Sequence, residues 1–276
     1  MKKNNECPKT LKDHIFYGLT LDDEQRKFVE AIWSEETIIT VCNAKAGTGK
    51  TTLAIAVANL LYEYGRYNGV SYIISPSMEE KQGYLPGNNY DKTAPYIQPL
   101  KDALLTLDIN PDYAIKDPNN VSIIKENKAF IDFMPHTYLR GTNFENQVVI
   151  IDEAQNFYFD ELKKTLTRIH DNCKVILIGH TEQCDLYKKP QNTGFRPYWN
   201  AFANCDDSRV KVCELTINHR GWLSTFCDDV GNVREKDMYY RSPIGEMVFA
   251  ECNHSEKTMK NSFYQDSNLD PNIIPV

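Results

Sequence analysis

The sequence contains no apolar run near the ~20 residues that a membrane-spanning helix requires. Its first ten residues, MKKNNECPKT, include lysines but no apolar stretch behind them, which argues against a secretory signal. These two absences predict a cytoplasmic protein with no membrane partner. The chain has 276 residues and is 41% hydrophobic, which is ordinary globular composition and enough for one large domain or two small ones.

No two of the eight cysteines stand at Cys-x-x-Cys spacing. A disulfide framework is not expected in an intracellular chain of this size. The nearest approach to a zinc cluster is Cys205, Cys213, Cys252 and His254, and its spacing matches no common set of zinc ligands. We therefore expect reduced thiols that serve as small core residues.

The chain also lacks an excess of positive charge, since its formal net charge is −7. Neutralisation of phosphates supplies most of the affinity of a protein for nucleic acid. An acidic monomer is therefore not expected to bind DNA or RNA tightly. A local basic groove, or one that assembly creates, is compatible with this charge.

The chain does have a regular alternation of helical and strand patterns. Apolar residues at helical spacing predict a helix over 21–33, with Thr20 or Asp22 as its cap. A hairpin is predicted over 121–134. The other predicted helices are 51–65, 99–107, 158–170 and one from Leu223, and the predicted buried strands are 36–43, 70–76, 147–156, 173–180 and 209–216. This alternation predicts an α/β fold with a mostly parallel sheet and helices on both faces.

Residues 44–52 read AKAGTGKTT, between a predicted strand and a predicted helix, where a phosphate-binding loop belongs. Its backbone N–H groups and the helix N-terminus can face a β-phosphate, and Lys50 can contact the β- and γ-phosphates. The Thr51 hydroxyl is placed for Mg²⁺. The alternative is a glycine-rich turn with a chance lysine. The predicted nucleotide contacts of this loop are Ala44, Lys45, Ala46, Gly47, Thr48, Gly49, Lys50, Thr51 and Thr52.

A second motif, VVIIDEAQ, places two carboxylates at the end of a predicted parallel strand. Asp152 can hold Mg²⁺ through its water. Glu153 can orient or deprotonate the attacking water. Alone, such a pair is often a solvated loop or a helix cap, but together with the phosphate loop it favours hydrolysis over nucleotide storage.

AGTGKT and DEAQN together resemble the PhoH-like ATPases, a branch of P-loop proteins related to superfamily 1 helicases. Three further segments are similar to that family: GYLPGNNYDKTAPYIQPLKDAL (83–104), YLRGTNFENQVVIIDEAQN (138–156) and LTRIHDNCKVILIGHTEQCDL (166–186). The resemblance extends from about residue 20 to 230. It implies a single RecA-like P-loop domain that binds ATP and Mg²⁺ and hydrolyses ATP.

Roles for four more residues follow from the resemblance. Gln25 is similar to a glutamine that reads adenine, with an exposed helix glutamine as the alternative. Gln183 occupies the position that senses the γ-phosphate. Arg220 resembles an arginine that contacts the γ-phosphate and offsets its charge, against the alternative of a surface arginine. Arg140 could face nucleic acid or a neighbouring subunit.

The sequence departs from the family pattern at two positions. Ala44 stands where phosphate loops usually open with glycine, and helicase-type loops often accept alanine there. His180 stands where relatives have aspartate, which weakens the transfer of that motif's coupling role to this chain. A histidine there could titrate near neutral pH, although a plain hydrogen-bonding role is favoured.

The predicted organisation is an N-terminal arm (1–19), a RecA-like ATPase domain (20–249) and a polar C-terminal tail (250–276). Within the domain, 77–120 is a loop-rich insertion rich in glycine and proline. Its apolar and aromatic side chains either stack on bases or pack onto the core, and packing is slightly favoured.

The resulting functional hypothesis is Mg²⁺-dependent ATP hydrolysis coupled to single-stranded RNA or DNA. About 50 residues follow Arg220, too few for a second RecA-like domain. Movement along nucleic acid would therefore need a homo-oligomer, for example a ring, in which Arg220 acts on a neighbour. The alternative is an ATP-binding switch with little turnover. A P-loop kinase is less favoured, because 77–120 contains no arginine for a lid.

Overall fold

A six-stranded, fully parallel sheet organises the chain up to His219. The strands are β1 (Ile39–Ala44), β2 (Val70–Ile74), β3 (Ile131–Pro135), β4 (Val148–Ile151), β5 (Lys174–Gly179) and β6 (Val210–Leu215). Their order across the sheet is β3-β2-β4-β5-β1-β6, and every neighbouring pair is parallel. The predicted α/β fold with a parallel sheet is thus confirmed.

The computed structural model describes residues 7–11, 16–76, 94–116, 129–181, 193–233, 238–241 and 247–250. Its helices are α1 (Asp23–Trp33), α2 (Lys50–Glu63), α3 (Gln98–Thr106), α4 (Pro111–Ala114), α5 (Phe159–Leu166), α6 (Phe195–Ala203) and α7 (Trp222–Val233). Short 3-10 turns span Ala94–Ile97, His136–Tyr138 and Ala154–Asn156. None of the helices described is long and apolar enough to cross a membrane.

Helices cover both faces of the sheet, because strand residues alternate between two cores. In β4, Val148 and Ile150 join a core with α1, α2 and α3. Val149 and Ile151 join the opposite core with α5 and α6. Both faces are therefore buried, which explains why the strands read as continuous aliphatic runs rather than as alternating ones.

Local sequence explains where α1 and α2 begin and end. Asp22 caps α1 by accepting the N–H of Gln25 at 2.8 Å, and is one of the two caps that the sequence predicts. The middle of α2 is buried on every side from Leu53 to Leu61, so it is a core helix. It ends at Glu63, and Gly65 follows shortly after with a φ of 73°, the left-handed conformation that glycine adopts without a Cβ penalty.

One predicted element needs correction, and one helix was missed. The hairpin predicted over 121–134 is wrong for its second half, since 131–135 form β3 and pair in parallel with β2; residues 121–128 lie outside the described part. Helix α6 was not predicted at all. The helix predicted over 99–107 is confirmed as α3, whereas 77–93 lie outside the described residues.

The described cysteines are free thiols. Cys42 and Cys173 are buried, as predicted, but Cys205 is exposed. No group of three potential metal ligands of the His, Cys, Asp and Glu type occurs within the described ranges, while Cys252 and His254 lie outside them.

Residues 220–276 form a second compact unit. Its described elements are α7 and an antiparallel pair, β7 (Met238–Arg241) and β8 (Met247–Ala250). The pairing of β7 with β8 was not predicted from the sequence.

Candidate nucleotide site

The phosphate loop connects β1 to α2 at the carboxyl edge of the sheet. Gly47 and Gly49 have φ values of 74° and 79°, a left-handed conformation that other residues adopt only at a cost. The Thr48 hydroxyl closes the turn by donating to the Lys45 carbonyl at 3.0 Å. Helix α2 begins at Lys50 with no side-chain cap, so its N-terminus keeps backbone donors suited to an anion.

Ala44 is the last residue of β1 and is buried. Its neighbour Lys45 donates its backbone N–H to the Leu215 carbonyl at 3.0 Å, which ties the start of the loop to β6. Ala44 therefore belongs to the strand and its packing. This placement fits the interpretation that alanine at this position is a variant and not a defect.

The structure brings Thr51 and Asp152 into contact across 101 positions of sequence. The Thr51 hydroxyl donates to Asp152 Oδ2 at 2.7 Å, and the Tyr72 hydroxyl donates to the same oxygen at 2.6 Å. The backbone N–H of Glu153 donates to Asp152 Oδ1 at 2.9 Å. Asp152 is 1% exposed, so these donors hold a buried carboxylate at the end of β4.

The electrostatics around Asp152 favour a cation. Burial raises the pKa of Asp152, and the negative charge of Glu153 raises it further, whereas Lys50 and the two hydroxyls act in the opposite direction. Burial and the nearby Asp152 charge also raise the pKa of Tyr72 well above its usual range, so its hydroxyl stays protonated and donates. A buried carboxylate that resists ionisation is relieved by a bound positive charge.

The side-chain oxygen atoms of Thr51 and Asp152 suit Mg²⁺ in particular. The hydroxyl of Thr51 and the carboxylate of Asp152 are hard oxygen ligands, and Mg²⁺ prefers such ligands. Proteins usually hold it through one or two such groups, with water and substrate phosphates completing the shell. A site with one carboxylate is therefore sufficient.

Glu153 lies beside this pair and is held by two neighbours. Its Oε1 is 3.1 Å from Lys50 Nζ, and its Oε2 accepts from Gln155 Nε2 at 2.5 Å. Its φ of 50° is uncommon for a residue with a side chain, and such backbone strain is concentrated at functional sites. The four predicted residues Lys50, Thr51, Asp152 and Glu153 thus form one cluster.

Gln155 is a site residue for which the sequence analysis proposed no role. Besides its contact with Glu153, its Oε1 accepts the backbone N–H of His180 at 3.0 Å, and its carbonyl accepts the Thr193 hydroxyl at 2.8 Å. It therefore joins the ends of β4 and β5. Its place in DEAQN, two positions after Glu153, was the available signal; Tyr72 lies inside an aliphatic strand and gave none.

His180 is 8% exposed and lies directly after β5, in contact with Gln155. The next residue, Thr181, donates its N–H to Asn43 Oδ1 at 3.0 Å, which links the end of β5 to β1. Gln183, the predicted sensor of the γ-phosphate, lies outside the described residues, and its role stays a prediction.

Gln25 lies against the phosphate loop. It is 7% exposed, so the alternative of an exposed helix glutamine is wrong. Its Nε2 donates to the Thr48 carbonyl at 3.0 Å, and its Oε1 accepts the Asp22 N–H at 3.2 Å. The side chain thereby connects the start of α1 to the loop; contact with adenine stays a prediction.

The segment after β6 also touches the loop, through His219. Its backbone N–H donates to the Gly47 carbonyl at 2.9 Å, and its Nε2 lies 2.8 Å from Asp22 Oδ2. Burial alone would raise the pKa of Asp22, but the N–H of Gln25 and the His219 ring outweigh it and lower that pKa. No spacing in the sequence indicated this contact. Arg220 begins the second unit, and its predicted role is untested.

Comparison with known proteins gives a consistent family. The PhoH family, described as PhoH-like protein, matches residues 20–220. Protein PhoH2 of Bacillus subtilis is 35% identical over 176 residues, which cover 63% of this chain and 38% of the relative. A PhoH-like protein of Synechocystis is 37% identical over 183 residues, covering 64% and 51%. Protein PhoH of Escherichia coli is 33% identical over 172 residues, covering 61% and 45%. The matched part thus spans about two fifths to one half of these relatives.

Two solved structures are also similar to this chain. The helicase domain of Hef from Pyrococcus furiosus has a TM-score of 0.38 at 14% identity, with 68% of this chain and 38% of that chain covered. The Pif1 helicase of Candida albicans has a TM-score of 0.37 at 18% identity, with 78% and 44% covered.

Proposed function

Since this chain belongs to the PhoH-like protein family, we propose that it is an Mg²⁺-dependent ATP phosphohydrolase whose turnover is coupled to single-stranded RNA or DNA. The observation that carries the proposal is the 2.7 Å contact between Thr51 and Asp152. It unites the hydroxyl of the phosphate loop with the carboxylate of the acidic strand, and an ATPase needs that pair for its metal.

The phosphate-binding role falls to the loop and to α2. The left-handed turns at Gly47 and Gly49 and the uncapped start of α2 present backbone donors to phosphate oxygens. Lys50 adds a positive charge at the same end of the helix. Bound Mg²⁺ would neutralise phosphate charge and the Asp152 carboxylate together.

Glu153 is the proposed base that orients the attacking water and accepts its proton. It is paired with Lys50 at 3.1 Å. ATP phosphates would compete for that lysine, which would release one carboxylate oxygen towards water. Gln155, at 2.5 Å from the other oxygen, would keep the carboxylate in place during this exchange.

The proposed working form is a homo-oligomer, for example a ring. In this arrangement Arg220 of one subunit would contact the phosphates bound by its neighbour and offset charge in the transition state. The family resemblance supports this assignment.

The function is tested by phosphate release from ATP with and without single-stranded RNA or DNA. We expect Mg²⁺-dependent turnover by the wild type and stimulation by at least one nucleic acid. Glu153→Gln should lower kcat by about 10²-fold or more, and Lys50→Ala should weaken ATP binding. Glu36→Gln, the same change at an exposed residue, is the matched control and should behave as the wild type.

Two outcomes would contradict parts of this proposal. ATP binding without turnover under any condition would favour the alternative of an ATP-dependent switch. Turnover that neither nucleic acid changes would leave the ATPase in place and remove its coupling to nucleic acid.

A further inference from the structure

An open cavity of about 490 Å³ lies at the carboxyl end of β3, on the same edge of the sheet as the nucleotide site. Its volume is in the range of ligand-binding cavities, about 300–1,000 Å³. β2 alone separates β3 from β4, so two strand spacings, or roughly 10 Å, separate the cavity from the end of β4.

Positive charge dominates the lining of this cavity. Arg140, Lys164 and Arg168 all line it, and the lining carboxylate is Glu161. That carboxylate has local partners, because its Oε1 lies 3.2 Å from His136 Nε2 and its Oε2 accepts the Tyr158 N–H at 2.9 Å. In a chain with a net charge of −7, three cations at one cavity form a marked local excess.

The backbone fixes where these cations stand. Arg140 is the second residue of a turn that the Thr142 N–H closes onto the Leu139 carbonyl at 3.0 Å. The third residue, Gly141, has a φ of 86°, the positive value that a type II turn requires at this position. Arg168 Nη1 donates to the Thr142 carbonyl at 3.3 Å, so the turn and the end of α5 hold each other in place.

His136 also lines the cavity. The side chain is 11% exposed, and among the described residues its buried Nδ1 has no hydrogen-bond partner. Tyr138, on the same 3-10 turn, is 48% exposed and presents an aromatic ring to solvent.

We propose that this basic cavity binds the backbone phosphates of single-stranded RNA or DNA, with Arg140, Lys164 and Arg168 as phosphate contacts. Proteins that bind single strands combine a positive groove with aromatic side chains on which bases stack, and Tyr138 supplies such a ring beside the cavity. The inference rests on the proposed function and gives its nucleic acid a location.

A packed connection leads from the cavity to the nucleotide site. The His136 and Phe157 rings are 5.1 Å apart, and Phe157 is fully buried. Its N–H donates to the Ala154 carbonyl at 3.2 Å, and Ala154 follows Glu153 directly. A nucleic-acid strand bound against His136 would therefore act, through Phe157 and Ala154, on the backbone next to Glu153. This connection is a route by which nucleic acid could alter ATP turnover.

The test is the anisotropy of a fluorescent single-stranded oligonucleotide, in a DNA arm and an RNA arm, titrated with full-length protein at several salt concentrations. Lys164→Gln should weaken binding by about tenfold and reduce the slope of log K against log salt by about 0.7, the value for one phosphate contact on a single strand. Lys163→Gln removes the same charge from the next residue of α5, which is exposed and outside the cavity. It should change binding by less than about threefold, because Lys163 does not line the cavity and solvent and salt screen an exposed charge.

Arg140→Gln is compared in the same way with Arg196→Gln, whose arginine is exposed on α6. Thermal melting checks that all four variants fold. ATP turnover without nucleic acid is measured separately, so a missing ATPase activity and a misplaced nucleic-acid site give different results.

Equal losses in Lys163→Gln and Lys164→Gln would overturn the proposal, because binding would then follow net charge and not the cavity. A wild type that binds neither oligonucleotide would overturn it as well, whatever its ATPase activity. Dissociation of an oligomer by Arg140→Gln or Lys164→Gln, with oligonucleotide binding unchanged, would assign the cavity to a neighbouring subunit instead. Loss confined to the cavity variants supports it.

Discussion

At the scale of single residues, Asp152 shows how a residue of the candidate site can lower the stability of the fold. Three donors hold its carboxylate, yet burial still raises its pKa. Because the folded pKa lies above the unfolded one, the folded state favours the protonated form. The stabilising contribution is therefore complete at low pH and is lost as pH rises through the folded pKa. Above its folded pKa the ionised group destabilises the fold.

Replacing Asp152 by asparagine should separate these two effects. The neutral amide avoids burying a charge, so we expect Asp152→Asn to raise the unfolding free energy of the ligand-free protein at pH 8. The same change should lower Mg²⁺-dependent ATP turnover by more than about 100-fold, because the metal loses its carboxylate. Urea denaturation and phosphate release measure the two effects.

Asp206→Asn is the control, since that residue is exposed and surface changes stay within about 0.5 kcal/mol. An Asp152→Asn protein that is less stable than the wild type would show that the three hydrogen bonds outweigh the burial of charge.

The residues of the nucleotide site divide by the kind of signal that they leave in the sequence. Thr51 and Asp152 belong to two motifs that only make chemical sense together, so their contact was predictable. Tyr72 was not predictable, because a tyrosine in an aliphatic strand reads as core until the partner of its hydroxyl is known. The same holds for His219, whose contact with Gly47 depends on the path of the chain after β6.

At the scale of elements, the strands themselves were easier to predict from the sequence than the pairing between them. The buried strands have β-branched or aliphatic runs, and periodicity is sufficient to find them. The 121–134 segment was assigned to a hairpin because its apolar residues alternate, but β3 pairs with β2, which no local pattern encodes. Helix α6 contains Pro197 and several aromatic residues, and its position depends on packing against the core with Phe195.

Strand β5 begins with an unusual residue, the fully buried Lys174. Its Nζ donates to the Ser34 carbonyl at 2.6 Å and to the Thr37 carbonyl, which fastens the connection between α1 and β1 to the sheet. Burial lowers the pKa of Lys174 to about 7, and the positive charge of Arg66 lowers it further.

This burial predicts a dependence of stability on pH. The unfolded lysine, near pKa 10.5, keeps its proton over a range in which the folded one, near 7, has lost it. The unfolded state thus binds more protons between pH 7 and 10.5, so stability rises with pH in that window. Relative to Lys174→Met, the wild-type unfolding free energy should increase by about 2 kcal/mol from pH 7 to pH 9.

Urea denaturation at pH 7, 8 and 9 measures this difference, and Lys27→Met, at an exposed lysine of α1, should follow the wild type. The comparison uses the slope with pH, so a general loss of stability in Lys174→Met does not affect it. Parallel curves for wild type and Lys174→Met would mean that the two carbonyls keep the ammonium charged in the fold.

At the scale of the whole molecule, net charge gives a general expectation about nucleic acid but no location. A net charge of −7 argues against tight binding of nucleic acid in general. Folding nevertheless gathers Arg140, Lys164 and Arg168 at one cavity, although Arg140 lies far from the other two in the sequence. From the sequence alone, Arg140 has two interpretations, contact with nucleic acid or contact with a neighbouring subunit. Its neighbours in the fold, which the sequence could not reveal, favour nucleic acid.

If ATP binds between subunits, two inactive variants can complement each other in a mixed oligomer. Two chains that each act alone cannot do this. Lys50→Ala and Arg220→Ala proteins should each be nearly inactive, for loss of a phosphate contact and of the arginine respectively. In an equal mixture, random assembly gives about a quarter of the interfaces an intact loop and an intact neighbouring arginine. Phosphate release should therefore recover to about a quarter of the wild-type rate in mixed oligomers.

Lys50→Ala mixed with Glu153→Gln is the matched control. Both changes lie on the same side of the site, 3.1 Å apart in one chain, so no mixed interface is intact and turnover should not recover. Sedimentation of differently tagged proteins establishes that the subunits have mixed. Mixed oligomers of Lys50→Ala and Arg220→Ala without recovery would place the arginine on the phosphates of its own chain, because an arginine that acts within one subunit cannot repair another.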